Sequence, residues 1–336
     1  MTIRCRPYWA KFAGSLLATT LMASPLGAQT VLKASHQFPG GKGDPRDEMV
    51  QVIAREVEKA NVGLKIHIFP GSSLFKPREQ WNAMSRGLLD MSAFPLDYAA
   101  GQHPEFSATL MPGLVGNYDR AKKLNNSEFM TRIKKVINDG GVVVIADAWL
   151  SGGFASKKAC IKGPDSIKGQ VTRAAGPAFE QMLAAAGASI SSMPSNEIYN
   201  GMQTGVLDAT NTSSASFVSF RLYEQVKCLT APGENALWFM YEPVLMSKKI
   251  FDGLTKEQQA ALLAAGAKSE EYFDAESRKG DQVLIDTFKK AGVEVTEMTK
   301  ADFDAWLAVA KESAYKQFAA EVKGGAELIE AALAVK

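Results

Sequence analysis

Ser166-Ile167-Lys168-Gly169-Gln170-Val171-Thr172-Arg173, and after it Glu197-Ile198-Tyr199-Asn200-Gly201-Met202-Gln203-Thr204-Gly205-Val206-Leu207-Asp208, are the segments on which the reading of this chain turns. The first reads as a strand, residues 170–173, that ends on a guanidinium. Pro177 then opens a helix to residue 186, since proline fits the first helical turn. The second segment reads as a helix over 195–204, turned by Gly205 into a strand over 206–209. With an apolar strand at 188–193 between the helices, the order is βαβαβ, which predicts parallel strands and right-handed crossovers.

The same order stands nearer the N-terminus. Residues 31–35 read as a strand, and 36–44 as a Gly-rich loop. Pro45 starts a helix to residue 60, with Met49, Val50, Ile53 and Val57 on one face. Strands at 64–69 and 88–94 flank a helix at 77–87. A helix over 119–138 leads to a buried strand at 142–146, and Ser151-Gly152-Gly153 marks an expected crossing between lobes. Residues 236–247 form a long apolar strand expected to return to the first unit. Residues 255–290 form a helical stretch of roughly 50 Å, long enough to run along both units. The expectation is an α/β protein of two lobes: residues 29–150 plus the returning strand, residues 151–235, and C-terminal helices over 248–336 bracing both.

Arg4, Arg6 and Lys11 precede an apolar run over 12–22, and Ala23-Ser24-Pro25-Leu26-Gly27-Ala28 follows it. This pattern predicts an export signal cleaved near Ala28, and a periplasmic destination. Removing it leaves 35 basic residues against 36 acidic, a net charge of −1, so nothing global points to nucleic acid or an anionic membrane. Cys160 and Cys228 remain. An oxidising compartment lets them pair, and the sequence leaves a disulfide and two buried thiols both open.

Catalytic signatures are missing. There is no G-x-S-x-G elbow and no phosphate-cradling G-x-x-x-x-G-K-[ST]. His36, His67 and His103 have no helical metal-ligand spacing, so neither a metal nor a cofactor is expected. A planar cation at a strand end, in an exported α/β chain without catalytic motifs, points instead to a receptor for a small organic anion, because a guanidinium fork grips a carboxylate with two parallel hydrogen bonds. Ligands of open α/β sheets bind beyond the carboxyl ends of strands. That places His36 and Gln37 after the first strand, and Phe94 and Asp97 after the third, among the candidates. Alternation sets Trp238 on the opposite face from Phe239 and Tyr241, and we take Phe239 as facing the cleft.

Taken together, the Arg173 and Asp208 segments, His36 after the first strand, the Pro70-Gly71 turn and Gly87-Leu88-Leu89-Asp90-Met91 resemble the DctP-type solute receptors of tripartite ATP-independent periplasmic (TRAP) transporters, over essentially the whole chain past residue 28. The resemblance implies a two-lobed Venus-flytrap fold, two mixed sheets flanked by helices, and a long helix spanning both lobes. It implies that Arg173 anchors the ligand carboxylate, that Trp149 lies near the cleft, and that Asn211 and Thr212, in the polar run 210–214, face the ligand. It implies a TRAP membrane permease as partner, and no catalysis. Some members place a second arginine near the position of Gly153; its absence here favours a monocarboxylate. A monomer is expected.

Overall fold

The computed structural model describes residues 1–3, 5, 29–41, 43–234 and 236–336. The expected export segment lies almost wholly outside them. None of the described helices is long and apolar enough to cross a membrane.

Twelve strands among the described residues form two mixed sheets. The first joins β1 (Thr30–Ser35), β2 (Leu64–Phe69), β3 (Met91–Ala93), β4 (Val142–Ala146) and β11 (Val244–Ser247), in the order β2-β1-β3-β11-β4. The second holds β5 (Trp149–Ser156), β6 (Val171–Ala174), β7 (Ser189–Ser192), β8 (Ala209–Ser213), β9 (Cys228–Ala231) and β12 (Glu294–Glu297) in the order β12-β9-β5-β8-β6-β7, with β10 (Trp238–Tyr241) added on β5. β1 runs parallel to β2 and β3, and β6 runs parallel to β7 and β8, as the two βαβαβ units require. Helices cover both sheets, so each sheet and its helices make one lobe.

Four sequence expectations need correction. The segment 236–247 is two strands, because Pro243 cannot donate to a ladder. β10 stays on the second sheet, antiparallel to β5, and only β11 returns to the first. Ser151-Gly152-Gly153 lies inside β5 rather than at a crossing. The chain passes directly between sheets at Asp147-Ala148 and Glu242-Pro243, and a third time through the long helix from β11 to β12; the Glu242 N–H donates to the Ala148 carbonyl at 2.8 Å, tying the two short links together. The strand expected at 206–209 is β8, which begins at Ala209, so Asn211 and Thr212 lie within the sheet. The helix expected over 119–138 is two, Tyr118–Leu124 and Glu128–Asp139, because Ser127 caps the second with its hydroxyl.

The long helix is continuous from Lys256 to Lys290, with Thr255 and Gln258 forming its capping box. It touches both lobes. Ser269 donates to the Met49 carbonyl in helix Pro45–Ala60, while Asp281 accepts from Ser151 in β5 and from Ser214. Gly266 lets the helix lie close against β4 of the first lobe as well: a Cβ there would lie 1.9 Å from the Ile145 carbonyl oxygen. Cys160 and Cys228 are joined as a disulfide, their Cα atoms 5.1 Å apart.

Candidate functional site

Arg173 is the third residue of β6, and its side chain lies over the carboxyl end of the sheet, 1 % exposed. Its Nε donates to the Met193 carbonyl at 2.9 Å, and one Nη1 proton goes to the Asn211 carbonyl at 2.8 Å. Nη2 reaches the Tyr98 hydroxyl at 3.3 Å. A guanidinium has five N–H donors. Three are used, and one remains on each terminal nitrogen. No carboxylate of the described residues lies within 4.0 Å of it. Burial accordingly pushes its pKa below the usual arginine range, although the guanidinium stays charged.

Tyr98 comes from the other lobe, in the turn Leu96–Ala99 after β3. Its hydroxyl accepts from the Ser195 N–H at 2.9 Å as well as from Arg173, so one phenol oxygen bridges the lobes. Gln37 joins the same oxygen through a long contact of 3.4 Å. Phe94 is buried and stands edge-on to Tyr98, ring centres 6.3 Å apart, so it supports that ring from behind. Beside Tyr98, Asp97 is 3 % exposed and its two oxygens have no hydrogen-bond partner. It lies so near Gly176 that a Cβ there would fall 1.3 Å from Oδ2. Burial, with Glu180 adding to it, pushes Asp97 up to about 7.

Asn211 is fully buried, and its side-chain N–H donates to the Arg173 carbonyl at 3.2 Å, which fixes the amide; its Oδ1 has no partner. Thr212 alternates to the opposite face of β8, pairing with Gly153. At Gly153 a Cβ would lie 2.2 Å from the Thr230 carbonyl oxygen, so this backbone leaves no room for a side chain there.

A second buried guanidinium completes the picture. Arg46, in the first turn of helix Pro45–Ala60, stacks on Phe38 at 3.8 Å and is paired two-handed with Asp44. Its Nη1 also donates to Ser216 at 2.8 Å and Ser213 at 3.2 Å in the other lobe, and Glu242 stands 3.6 Å away. Glu242 sits in one of the links between sheets, is 2 % exposed, and is pushed up to about 7 by burial in spite of Arg46.

The structure thus brings together Arg173, Asn211 and Gln37, with Phe94 behind Tyr98. It places the other candidates elsewhere. His36 is fully buried with Nε2 3.1 Å from Asp47, held within its own lobe. Burial pushes the Asp47 carboxyl up, but the His36 contact and the Gly41 N–H outweigh it and hold it below the usual range. Trp149 and Phe239 pack with Tyr241 and Tyr118, away from the guanidinium: Trp149 donates to Asn125 at 2.7 Å and lines a separate cavity of about 320 Å³ with Asp147, Glu270 and Asp274. The reason is strand parity. Tyr241 faces Trp149 across the ladder, and Phe239 points the same way; Trp238, on the opposite face, is the one beside Thr212, as the contacts of Gly152 show. Tyr98, which bonds Arg173, and the buried Arg46 and Glu242 near it were not singled out in the sequence. Arg46 carried a signal, since a cation in a helix's first turn opposes the helix dipole and needs another reason to be there.

A two-lobed sheet pair with a buried, uncompensated cation at the lobe junction is the architecture of a solute receptor. The chain belongs to the family "Bacterial extracellular solute-binding protein, family 7" (DctP), which it matches over residues 39–321. It is 41 % identical over 321 residues to a solute-binding protein of Albidiferax ferrireducens, covering 94 % of this chain and 95 % of that one. Its fold superimposes with TM-score 0.88 on a TRAP periplasmic solute binding protein of Rhodoferax ferrireducens with bound malonate, at 41 % identity over 90 % of this chain and 97 % of that one. An extracytoplasmic solute receptor of Bordetella pertussis binding pyroglutamic acid shares the fold at TM-score 0.82 and 22 % identity, over 90 % of this chain and 99 % of that one. The protein is a receptor and not an enzyme.

Proposed function

We propose that this protein is a periplasmic receptor, exported with loss of its first 28 residues, that captures a small organic acid anion through Arg173 and delivers it to a TRAP membrane permease. One observation carries the reading. Arg173 is a buried guanidinium without a carboxylate partner, and it keeps one N–H free on each terminal nitrogen. Those two donors are what a bidentate carboxylate needs. Tyr98 and Ser195 meet at the same place from opposite lobes, so an anion held there makes contacts that exist only when the lobes are closed, and this difference in affinity drives closure.

A singly charged acid is the better fit, because Arg46 is already committed to Asp44 and the region of Gly153 holds no cation. A short dicarboxylate is the competing reading, for two reasons. The relative that shares 41 % of residues holds malonate. Arg78, which donates to Ser192 at 2.8 Å at the exposed rim, is also close enough to influence both Arg173 and Asp97.

The test is calorimetry with the acids that stabilise the protein in a thermal-shift screen. Arg173→Ala removes one partner of a buried charge pair and should lower affinity by about 30-fold to several thousandfold. Arg173→Lys should lose most of it as well, since a point charge cannot copy the fork. An Arg173→Ala affinity within about threefold of wild type discards the assignment. Delivery is checked by uptake into vesicles holding the permease subunits, which should require the loaded receptor.

A further inference from the structure

Beneath the long helix lies a cavity of about 220 Å³ walled by both lobes. Gly43 and Pro45 come from the first lobe, Ser151 and Ser214 from the second, and Ser277 from the helix itself. None of Tyr98, Met193 and Asn211, which hold the Arg173 guanidinium, lines it. Ser277 is 5 % exposed, and its hydroxyl has no hydrogen-bond partner among the described residues. A buried hydroxyl left unmatched costs free energy, which an occupant of the cavity can relieve. Asp281 stands one turn further along the helix, so it shares a face with Ser277. Its Oδ1 accepts from the hydroxyls of Ser151 and Ser214, two of the lining residues, while its Oδ2 accepts from nothing among the described residues. The flanking cations are engaged elsewhere, Arg278 with Asp119 and Asp274, and Lys279 with Glu276. Asp281 is thus a largely buried carboxylate with two serine donors and no positive partner, and burial pushes its pKa up.

We propose that this cavity is a second binding site, for a small primary alkylammonium whose N–H groups donate to Asp281 and Ser277 and whose chain lies against Leu150 and Val218. Buried carboxylates are ordinarily matched by a cation, which a neutral alcohol does not supply. A bare metal ion fits less well, because the cavity is larger than one ion needs and Leu150, Val218 and Val283 give it a hydrocarbon wall. The geometry asks for a charged head with hydrogen-bond donors on a short apolar body. This assignment stands apart from the acid site, since it uses no group around Arg173.

Titration calorimetry with n-butylammonium tests this, against tetramethylammonium, which has no N–H, and n-butanol, which has no charge. The wild-type protein should bind n-butylammonium with a Kd of about 5 mM or tighter, and each comparison at least about tenfold more weakly. Asp281→Asn keeps an acceptor for both serines and removes the charge, and should weaken n-butylammonium at least about tenfold. Should circular dichroism show that Asp281→Asn does not fold, Ser277→Ala takes its place, with a loss of at least about threefold. Arg173→Ala should leave the amine's affinity within about threefold of wild type. Missing any of these thresholds overturns the second site. An amine lost in Arg173→Ala belongs to the acid cleft instead, and none of these results bears on whether Arg173 holds a carboxylate.

Discussion

Arg46 and Arg173 are both buried, and their surroundings differ in one respect. Arg46 has a carboxylate, a stacked phenyl ring and serine hydroxyls from the opposite lobe, whereas Arg173 has only neutral oxygens. The first is a finished structural contact, and the second still has capacity to bind. Tyr98→Phe removes the hydroxyl that accepts from Arg173 and Ser195. Affinity for the acid should drop by about 3- to 30-fold, from the loss of hydrogen bonds involving a charged donor, with the melting temperature little changed. An unchanged affinity in titration calorimetry would remove Tyr98 from the site. Gly176→Ala tests the packing of Asp97. Because a Cβ meets the carboxylate at 1.3 Å, either Asp97 or the start of helix Pro177–Ala185 must move, and binding should weaken at least tenfold while far-ultraviolet circular dichroism stays native. Of these residues, the sequence exposed Arg173, since its strand and following helix are written locally. Tyr98 reaches it from 75 residues away in the chain, and Arg46 meets Ser213 across 167, so only coordinates reveal these contacts.

Elements were legible where a local signal is unambiguous. β2 falls where alternation places it, β4 where an apolar run follows the Gly140-Gly141 pair, and the long helix falls within the 255–290 stretch. Misreadings came from segments whose polarity resembles a loop. β5 is buried along its length although it contains Ser151, Gly152 and Gly153; the two glycines are there because neighbouring carbonyls approach them. β8 is likewise a fully buried strand made of Thr210, Asn211, Thr212 and Ser213. β12 went unforeseen although Val293 and Val295 alternate with polar residues after Gly292; it pairs in parallel with β9. The disulfide ties the segment after β5 to the start of β9, across 68 residues. In the chain-entropy account, Cys228→Ser should cost about 2–4 kcal/mol, seen as a melting temperature lower by several degrees. Acid affinity should stay within about threefold, since neither cysteine touches the Arg173 cluster. A large loss of affinity at unchanged stability would contradict this.

At the scale of the whole molecule, closure carries a proton balance. Asp97 and Glu242 are pushed up to about 7, chiefly by burial, from ordinary values of 3.8 and 4.5. Asp97 packs against Gly176 of the other lobe and Glu242 lies in a link between them, so opening the lobes should re-expose both to water and return them toward those ordinary values. The closed form thus binds more protons, its advantage is complete near the ordinary values, and it is lost as pH rises through about 7. Affinity for a fully ionised acid should therefore rise several-fold between about pH 8 and pH 5.5, with proton uptake visible as a dependence of calorimetric enthalpy on buffer. A flat profile would argue that neither group titrates on closing. The two-lobed plan itself was legible from length and the repeated βαβαβ order. The true links were not, because Asp147-Ala148 and Glu242-Pro243 look like ordinary strand ends.

Those links have a consequence of their own. Two short links are clasped by one main-chain hydrogen bond, and one of them carries Glu242 within 3.6 Å of Arg46, which also donates to Ser213 and Ser216 in the opposite lobe. An acid at the axle of the clamshell thereby feels the same chemistry as the jaws. If the halves open about these links, a hydrogen ion gained or lost at Glu242 should alter how readily they swing, which the pH dependence of acid affinity in the Glu242→Gln variant would show.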